Sequence, residues 1–177
     1  MPKKIETASN AIGDITKPAL LRLCHRVGIP RVSGIVYEEL RGDLLVFLQE
    51  YIARVVTFTE HERKQTVSVN HAYAGMWPTK VLLTTKDLEA CKPKSKIPQI
   101  CLTFPKAPFV RLIRGVIADF KKNLRIQHEA SILIQYYAEM FLLKLLAMAF
   151  KMALQAQRET VQPKDIQLAR YTLMLQL

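Results

Sequence analysis

The 177-residue chain is short of acidic groups, with 15 Asp and Glu against 26 Lys and Arg, a formal net charge of +11. A surplus of that size points to an acidic partner, either nucleic acid or an anionic membrane surface. Cysteine is scarce as well. Cys24, Cys91 and Cys101 are an odd number with no disulfide-framework spacing, which fits free thiols in a reducing compartment. The sequence has no nucleophile motif, no Gly-rich phosphate loop and no metal-spaced cluster, so neither an enzyme nor a metal or cofactor is expected. Adjacent Cys24 and His25 do not change this, because neighbours on a helix point apart and make no dyad. Met1-Pro2-Lys3-Lys4 leads into a mixed polar stretch, so no secretory signal is expected. One long apolar run is present, from Ile132 to Phe150. Gln135, Glu139 and Lys144 interrupt it, each costly in a hydrocarbon core, and a buried helix of a soluble domain is expected instead of a membrane span.

Half of the residues are hydrophobic, enough for one large domain or two small ones sharing a core. Thr16 is a good N-cap, Pro18 suits a first helical turn and Gly28 sits where a helix stops, which predicts a helix over 17–27. Ile29 to Gly34 reads as a brief extended loop. From Ile35 the apolar residues Val36, Leu40, Leu44, Phe47, Leu48, Tyr51, Val55 and Phe58 recur at three- and four-residue steps. They describe one face of a long helix to about Glu62. Gly42 lowers its propensity without breaking it. Arg63 to Val67 is expected to be extended, with a shorter helix following until Trp77-Pro78. The second half repeats this order. Pro108 opens a short helix from Phe109 to about Lys121, and Asn123 to Ile126 form a loop. A long helix runs from about His128 to Ala156, and a last one from Pro163 to about Leu175.

The repeat has a register. Arg31 and Arg125 lie 94 positions apart, and so do Thr66-Val67 and Thr160-Val161. Two loops sharing one offset argue that short helix, loop, long helix, loop, short helix occurs twice. The expected fold class is all-α. Between the halves, Thr79 to Pro105 is 27 residues with three prolines; connections that long usually hold structure of their own or serve a function. Thr85 to Cys91 has the makings of one or two helical turns. Residues 78–125 carry eleven basic and three acidic groups, the most electropositive region of the chain. Within it, Lys92-Pro93-Lys94-Ser95-Lys96 reads either as a localisation signal or as a solvated basic linker.

The stretch Arg158 to Arg170 combines these features. Thr160 and Val161 favour an extended backbone, and Pro163 suits the first turn of the closing helix. An extended loop feeding a helix N-terminus between basic residues offers backbone donors to an anion such as phosphate.

Ile15-Thr16-Lys17-Pro18-Ala19, Arg31-Val32-Ser33-Gly34, Tyr37-Glu38-Glu39, Arg41-Gly42 and Thr59-Glu60-His61 together resemble core histone four. Pro108-Phe109, Arg111-Leu112, Asp119-Phe120-Lys121, Leu124-Arg125 and Pro163 to Arg170 resemble core histone three. The likeness holds in order and spacing over about residues 14–75 and 105–171. The chain therefore resembles a fused doublet of the two tetramer-forming histones, an arrangement known from certain large DNA viruses. The resemblance implies two histone folds in an intramolecular handshake: a short N-terminal extension over 1–15, a histone four-like fold over 16–78, the connector over 79–105 and a histone three-like fold over 106–177. It implies a DNA-packaging protein of chromatin, or of the virion and the host nucleus or viral factory. Such a protein wraps duplex DNA in a nucleosome-like particle without reading its sequence. The alternative is a histone-fold subunit of a transcription or chromatin regulatory complex; the paired Arg31 and Arg125 favour packaging.

By the same resemblance, Arg31 and Arg125 enter the DNA minor groove, whose narrow, electronegative floor suits arginine at any sequence. The handshake implies Arg31 beside Thr160 and Arg125 beside Thr66. Thr66, Thr160, Arg63, Lys64 and Arg158 are then expected to hold phosphates next to them. A third DNA site is implied where the two first helices start, from Thr16, Lys17 and Arg22 with Lys106, Arg111 and Arg114. Pro30, Gln65 and Pro105 stand where the family has basic residues, and the first fourteen residues hold only Lys3 and Lys4 as basic groups. A looser grip on the ends of the wrapped DNA is expected. Two copies of the chain are expected to meet through the end of the second long helix and the last helix. There Asp165 pairs with Arg158 of the other copy, Leu168 supplies apolar contact and Gln155 replaces a family histidine. Phe58, His61 and Tyr73 are expected to contact a separate histone-fold partner resembling the other core histone pair, with His61 packed in that interface. Either Asn70 or His71 takes the place of a family aspartate.

Overall fold

A computed structural model describes residues 12–76 and 102–175. Expectations for Thr85 to Cys91, for Lys92 to Lys96, for Cys91 and Cys101 and for a helix reaching Trp77-Pro78 lie outside the described residues. The first half runs α1 (Lys17–Val27), β1 (Arg31–Val32), α2 (Val36–His61), β2 (Thr66–Val67) and α3 (Val69–Gly75). The second runs α4 (Lys106–Phe120), β3 (Arg125–Ile126), α5 (His128–Gln155), β4 (Thr160–Val161) and α6 (Pro163–Leu175).

Local chemistry accounts for most of these bounds. Thr16 precedes α1 with an extended backbone but makes no side-chain cap bond. Gly28 ends the helix at φ 88°, and its amide and that of Ile29 return to the carbonyls of His25 and Cys24. A left-handed residue at this point favours glycine because a Cβ there crowds the backbone. Helix α4 starts at Lys106, three residues before the expected Phe109. Pro108 sits inside its first turn, where amides have no intrahelical acceptor and proline is tolerated at more than one position. Arg63 departs from the extended reading, with φ 54°. Gln157, its counterpart 94 positions on, has φ 55°. The same reversal of the chain thus follows both long helices. The amides of Arg63 and Lys64 bond back to Glu60 and Thr59, as those of Gln157 and Arg158 bond back to Leu154 and Ala153.

The four short strands join the halves. Strand β1 pairs in parallel with β4 in the register Arg31 to Thr160 and Val32 to Val161, and β2 pairs with β3 in the register Thr66 to Arg125 and Val67 to Ile126. Each first loop thus lies beside the other half's second loop. Helix packing crosses in the same way: α1 lies on α5 and α4 lies on α2. Phe47 and Phe141, again 94 positions apart, stack with ring centroids 4.5 Å apart and planes 9° from parallel. Contact between equivalent residues places the pseudo-twofold axis between them. Beside it, Tyr51 meets Tyr137 edge-on at 5.9 Å.

Helix α5 is long and apolar enough to cross a bilayer by length and composition, but 56% of its most apolar window is buried inside the protein. Its polar residues have assigned work there. Buried Glu139 accepts the amides of Thr103 (2.8 Å) and Phe104 (2.9 Å), and Gln135 donates to the Phe104 carbonyl (2.9 Å) and to Glu139 (3.0 Å). The segment entering α4 is therefore fastened to the middle of α5, with Phe104 buried against Phe109. Arg170 of α6 reaches Asp43 (2.7 Å) and Glu39 (3.1 Å) of α2, an ion-paired link between the halves. Burial pushes the Asp43 carboxyl above its ordinary range, against the charge and hydrogen bond of Arg170 that pull it down.

Candidate nucleic-acid interface

The strand alternation decides which residues reach solvent. Successive side chains of an extended chain point to opposite sides. Val67 and Val161 are buried, so Thr66 and Thr160 turn outward and stay half-buried. Opposite them Arg31 and Arg125 are exposed while Val32 and Ile126 turn partly inward. Two matching edges result, Arg31 with Thr160 and Thr66 with Arg125, as the handshake implied by the resemblance anticipated.

Arg63 and Lys64 are exposed on the second of these edges. Lys64 pairs with Glu62 at 2.6 Å, and Glu62 also accepts from His71 Nε2 at 2.9 Å. The hydrogen bonds from Lys64 and His71 hold the half-exposed Glu62 carboxyl down at about 2. His71 is itself buried, and its Nδ1 accepts the amide of Ser68 (3.1 Å), completing a capping box for α3. By the 94-position offset, His71 is the counterpart of Asp165, which resolves the choice between Asn70 and His71.

Asp165 and Arg158 pair within one chain: Arg158 grips Asp165 through two bonds of 2.8 and 3.1 Å. Asp165 also accepts the amide of Gln162 at 2.8 Å. Burial pushes its carboxyl up, but the Arg158 hydrogen bond, the Gln162 amide and the charges of Arg158 and Lys164 outweigh it, and the group ends below its ordinary value. Asp165 in turn raises Arg158 further above its usual range. Arg158 also donates to the Thr160 carbonyl at 3.3 Å, so it braces the loop it was expected to use against phosphate.

Thr16, Lys17 and Arg22 on α1 and Lys106, Arg111 and Arg114 on α4 are all exposed. Asp14 reaches Arg111 at 3.2 Å, which ties the start of the first half to α4 and partly neutralises one of these cations. An open pocket of about 420 Å³ lies between α4 and β3, rimmed by Arg114, Lys121, Lys122 and Arg125 over Ile117 and Leu124. Lys121 and Lys122 went unread as site residues, although their place just before a loop arginine was the available signal.

Near the C-terminus, Gln155 and Leu168 are exposed while Asp165 is buried. Leu154 and Tyr171, not singled out from sequence, are exposed there too, at 52% and 67%. In the first half Phe58 is 41% exposed and Tyr73 half-buried. His61, the last residue of α2, is exposed in the single chain, as a residue awaiting a partner surface would be. Cys24 is buried, and desolvation pushes its thiol up to about 11. Among the described residues no group of three His, Cys, Asp or Glu is placed to hold a metal ion.

The family model for the core histone domain, shared by all four core histones, matches residues 85–172, and these residues carry a core histone fold domain. Histone folds bind DNA and pair with other histone folds; proteins bearing them are usually chromatin-associated and typically not enzymes.

Proposed function

We propose that the chain packages DNA as two fused histone folds, the first like histone four over 16–78 and the second like histone three over 106–177. In this reading the pair wraps duplex DNA in a nucleosome-like particle, in chromatin or in a viral setting of virion and factory. Arg31 and Arg125 enter the minor groove. Thr66, Thr160, Arg63 and Lys64 take the flanking phosphates, and the first turns of α1 and α4 supply a third contact. Arg158 acts mainly by bracing its loop. A second copy docks at the α5–α6 end, and a separate histone-fold partner docks at Phe58, His61 and Tyr73.

One observation carries the reading: the parallel strand registers bring Arg31 to Thr160 and Arg125 to Thr66. Two outward arginines, each beside a hydroxyl and each on a matched edge, suit a repeating anionic backbone and carry no base-edge reading set. Binding is expected to be sequence-independent and to weaken steeply with salt. Micrococcal nuclease digestion of the chain on mixed-sequence DNA, with and without a histone-fold partner pair, tests this. Discrete protected fragments, shorter than those of an ordinary nucleosome, are expected. A lack of protection under both conditions sinks the proposal, and salt-insensitive preference for one short sequence points to a regulatory subunit instead.

A further inference from the structure

The two DNA-facing edges have matched geometry but unequal charge. The loops 27–33 and 156–162, which build the Arg31/Thr160 edge, carry two cations, Arg31 and Arg158, and the carboxylate Glu159. The loops 62–68 and 121–127, which build the Thr66/Arg125 edge, carry five cations and one carboxylate, Glu62. The five are Arg63, Lys64, Lys121, Lys122 and Arg125.

Ion pairing widens the difference. Arg158 is held in two bonds by the buried Asp165, which leaves Arg31 as the one cation of its edge without a carboxylate partner among the described residues. On the other edge, Lys64 pairs with Glu62 and Lys121 with Glu60, but in both pairs each side chain is 44% exposed or more. Such pairs are weak, water-screened and open to exchange with a phosphate. Arg63, Lys122 and Arg125 have no carboxylate partner among the described residues. The basic pocket beside Arg125 extends this surface along α4 to Arg114.

We infer that the Thr66/Arg125 edge is the primary anchor for duplex DNA and that the Arg31/Thr160 edge engages second and more weakly. The inference rests on the packaging reading above. Sequence-independent affinity comes largely from counterion release, with a slope of log affinity against log salt of about 0.9 for each phosphate neutralised. The first edge has several cations to contribute to that term; the second has one.

The test uses the full chain and a duplex of roughly one helical turn, about 10–12 base pairs, which a single edge can hold. Binding is followed by fluorescence anisotropy between about 50 and 200 mM salt. Arg125→Gln is compared with Arg31→Gln, and a triple variant adds Lys122→Gln and Arg63→Gln to Arg125→Gln. Glutamine suits position 63, because Gln157 holds the same backbone conformation at the counterpart position. Arg125→Gln is expected to weaken binding several-fold more than Arg31→Gln. The triple variant should lower the salt slope by about 2–3, against less than 1 for Arg31→Gln. Equal losses, or a larger loss from Arg31→Gln, overturn the inference and leave the packaging reading standing. Failure of the unmodified chain to bind duplex DNA overturns both. Circular dichroism checks that each variant folds, and Lys122→Gln, exposed just past the end of α4, repeats the comparison with Arg31→Gln if the triple variant does not.

Discussion

Asp165 and His71 stand at equivalent positions of the two halves and do the same backbone work by different chemistry. Each accepts the amide of the residue three before it, Gln162 or Ser68, and so fixes the entrance to a closing helix. Asp165 adds a direct grip on Arg158, whereas His71 reaches Lys64 only through Glu62. Buried acceptors are expensive to remove, since the donors they served are left without partners. Asp165→Ala is expected to cost about 1–3 kcal/mol in urea denaturation, the partial exposure of Arg158 keeping the figure from the top of the charged-pair range. Its carboxyl lies below its ordinary value when folded. The stabilisation is therefore fully present above the unfolded Asp value of about 3.9 and disappears as pH falls through the folded value. Denaturation midpoints of the two proteins should converge in acid, and a constant gap down to the acid limit would contradict this account. The resemblance names Arg158 and Asp165 as partners across two copies; that they meet within one chain depends on the left-handed turn at Gln157, which the sequence does not mark.

The elements themselves were more legible. Period and caps set α2, α5 and α6 to within about a residue, because a long helix that buries one face must repeat its apolar residues. Which strands would meet came from the handshake that the resemblance implies, and the registers agree with it. What could not be read was the left-handed turn at Arg63 and Gln157, since neither residue is the glycine that usually signals it. The start of α4 was missed for the reason that proline fits several first-turn positions. Packing of α3 on α2 gives a test at this scale. A Cβ on Gly75 would fall 2.4 Å from Val55 Cγ2 and 3.2 Å from the Val55 amide nitrogen, while one on Gly42 meets nothing within 4 Å. Gly75→Ala is expected to destabilise by about 1–3 kcal/mol through overpacking. Gly42→Ala should stabilise by about 0.5–1 kcal/mol, as expected for alanine in an exposed helix. Thermal unfolding of both variants separates steric from propensity effects, and loss of stability in Gly42→Ala would show that its surface is engaged by something else.

At the scale of the molecule, the two ends of the clasped pair differ in what they leave open. Leu154, Leu168 and Tyr171 stay exposed at the end formed by α5 and α6. Asp165 lies under that surface in its own chain's ion pair, so charge reversal there would disturb the fold as well as any contact between copies. Leu168, 51% exposed, is the cleaner probe. Leu168→Glu is expected to shift sedimentation toward the single chain without changing the helical signal; an unchanged higher-order species would remove this surface from the proposal.

The crossed packing of α1 on α5 and α4 on α2 also governs stoichiometry. Each half completes its core with a helix from the other, so neither is a finished body to trade for a substitute. With both in one chain, the ratio of the halves is set at synthesis, and pairing is intramolecular at high effective concentration. A free single-fold competitor would have to displace both a helix and two strand pairs at once. Partner exchange, the usual route by which paired subunits are swapped for variants, is closed to this molecule, and any change of composition has to occur at its outer contacts.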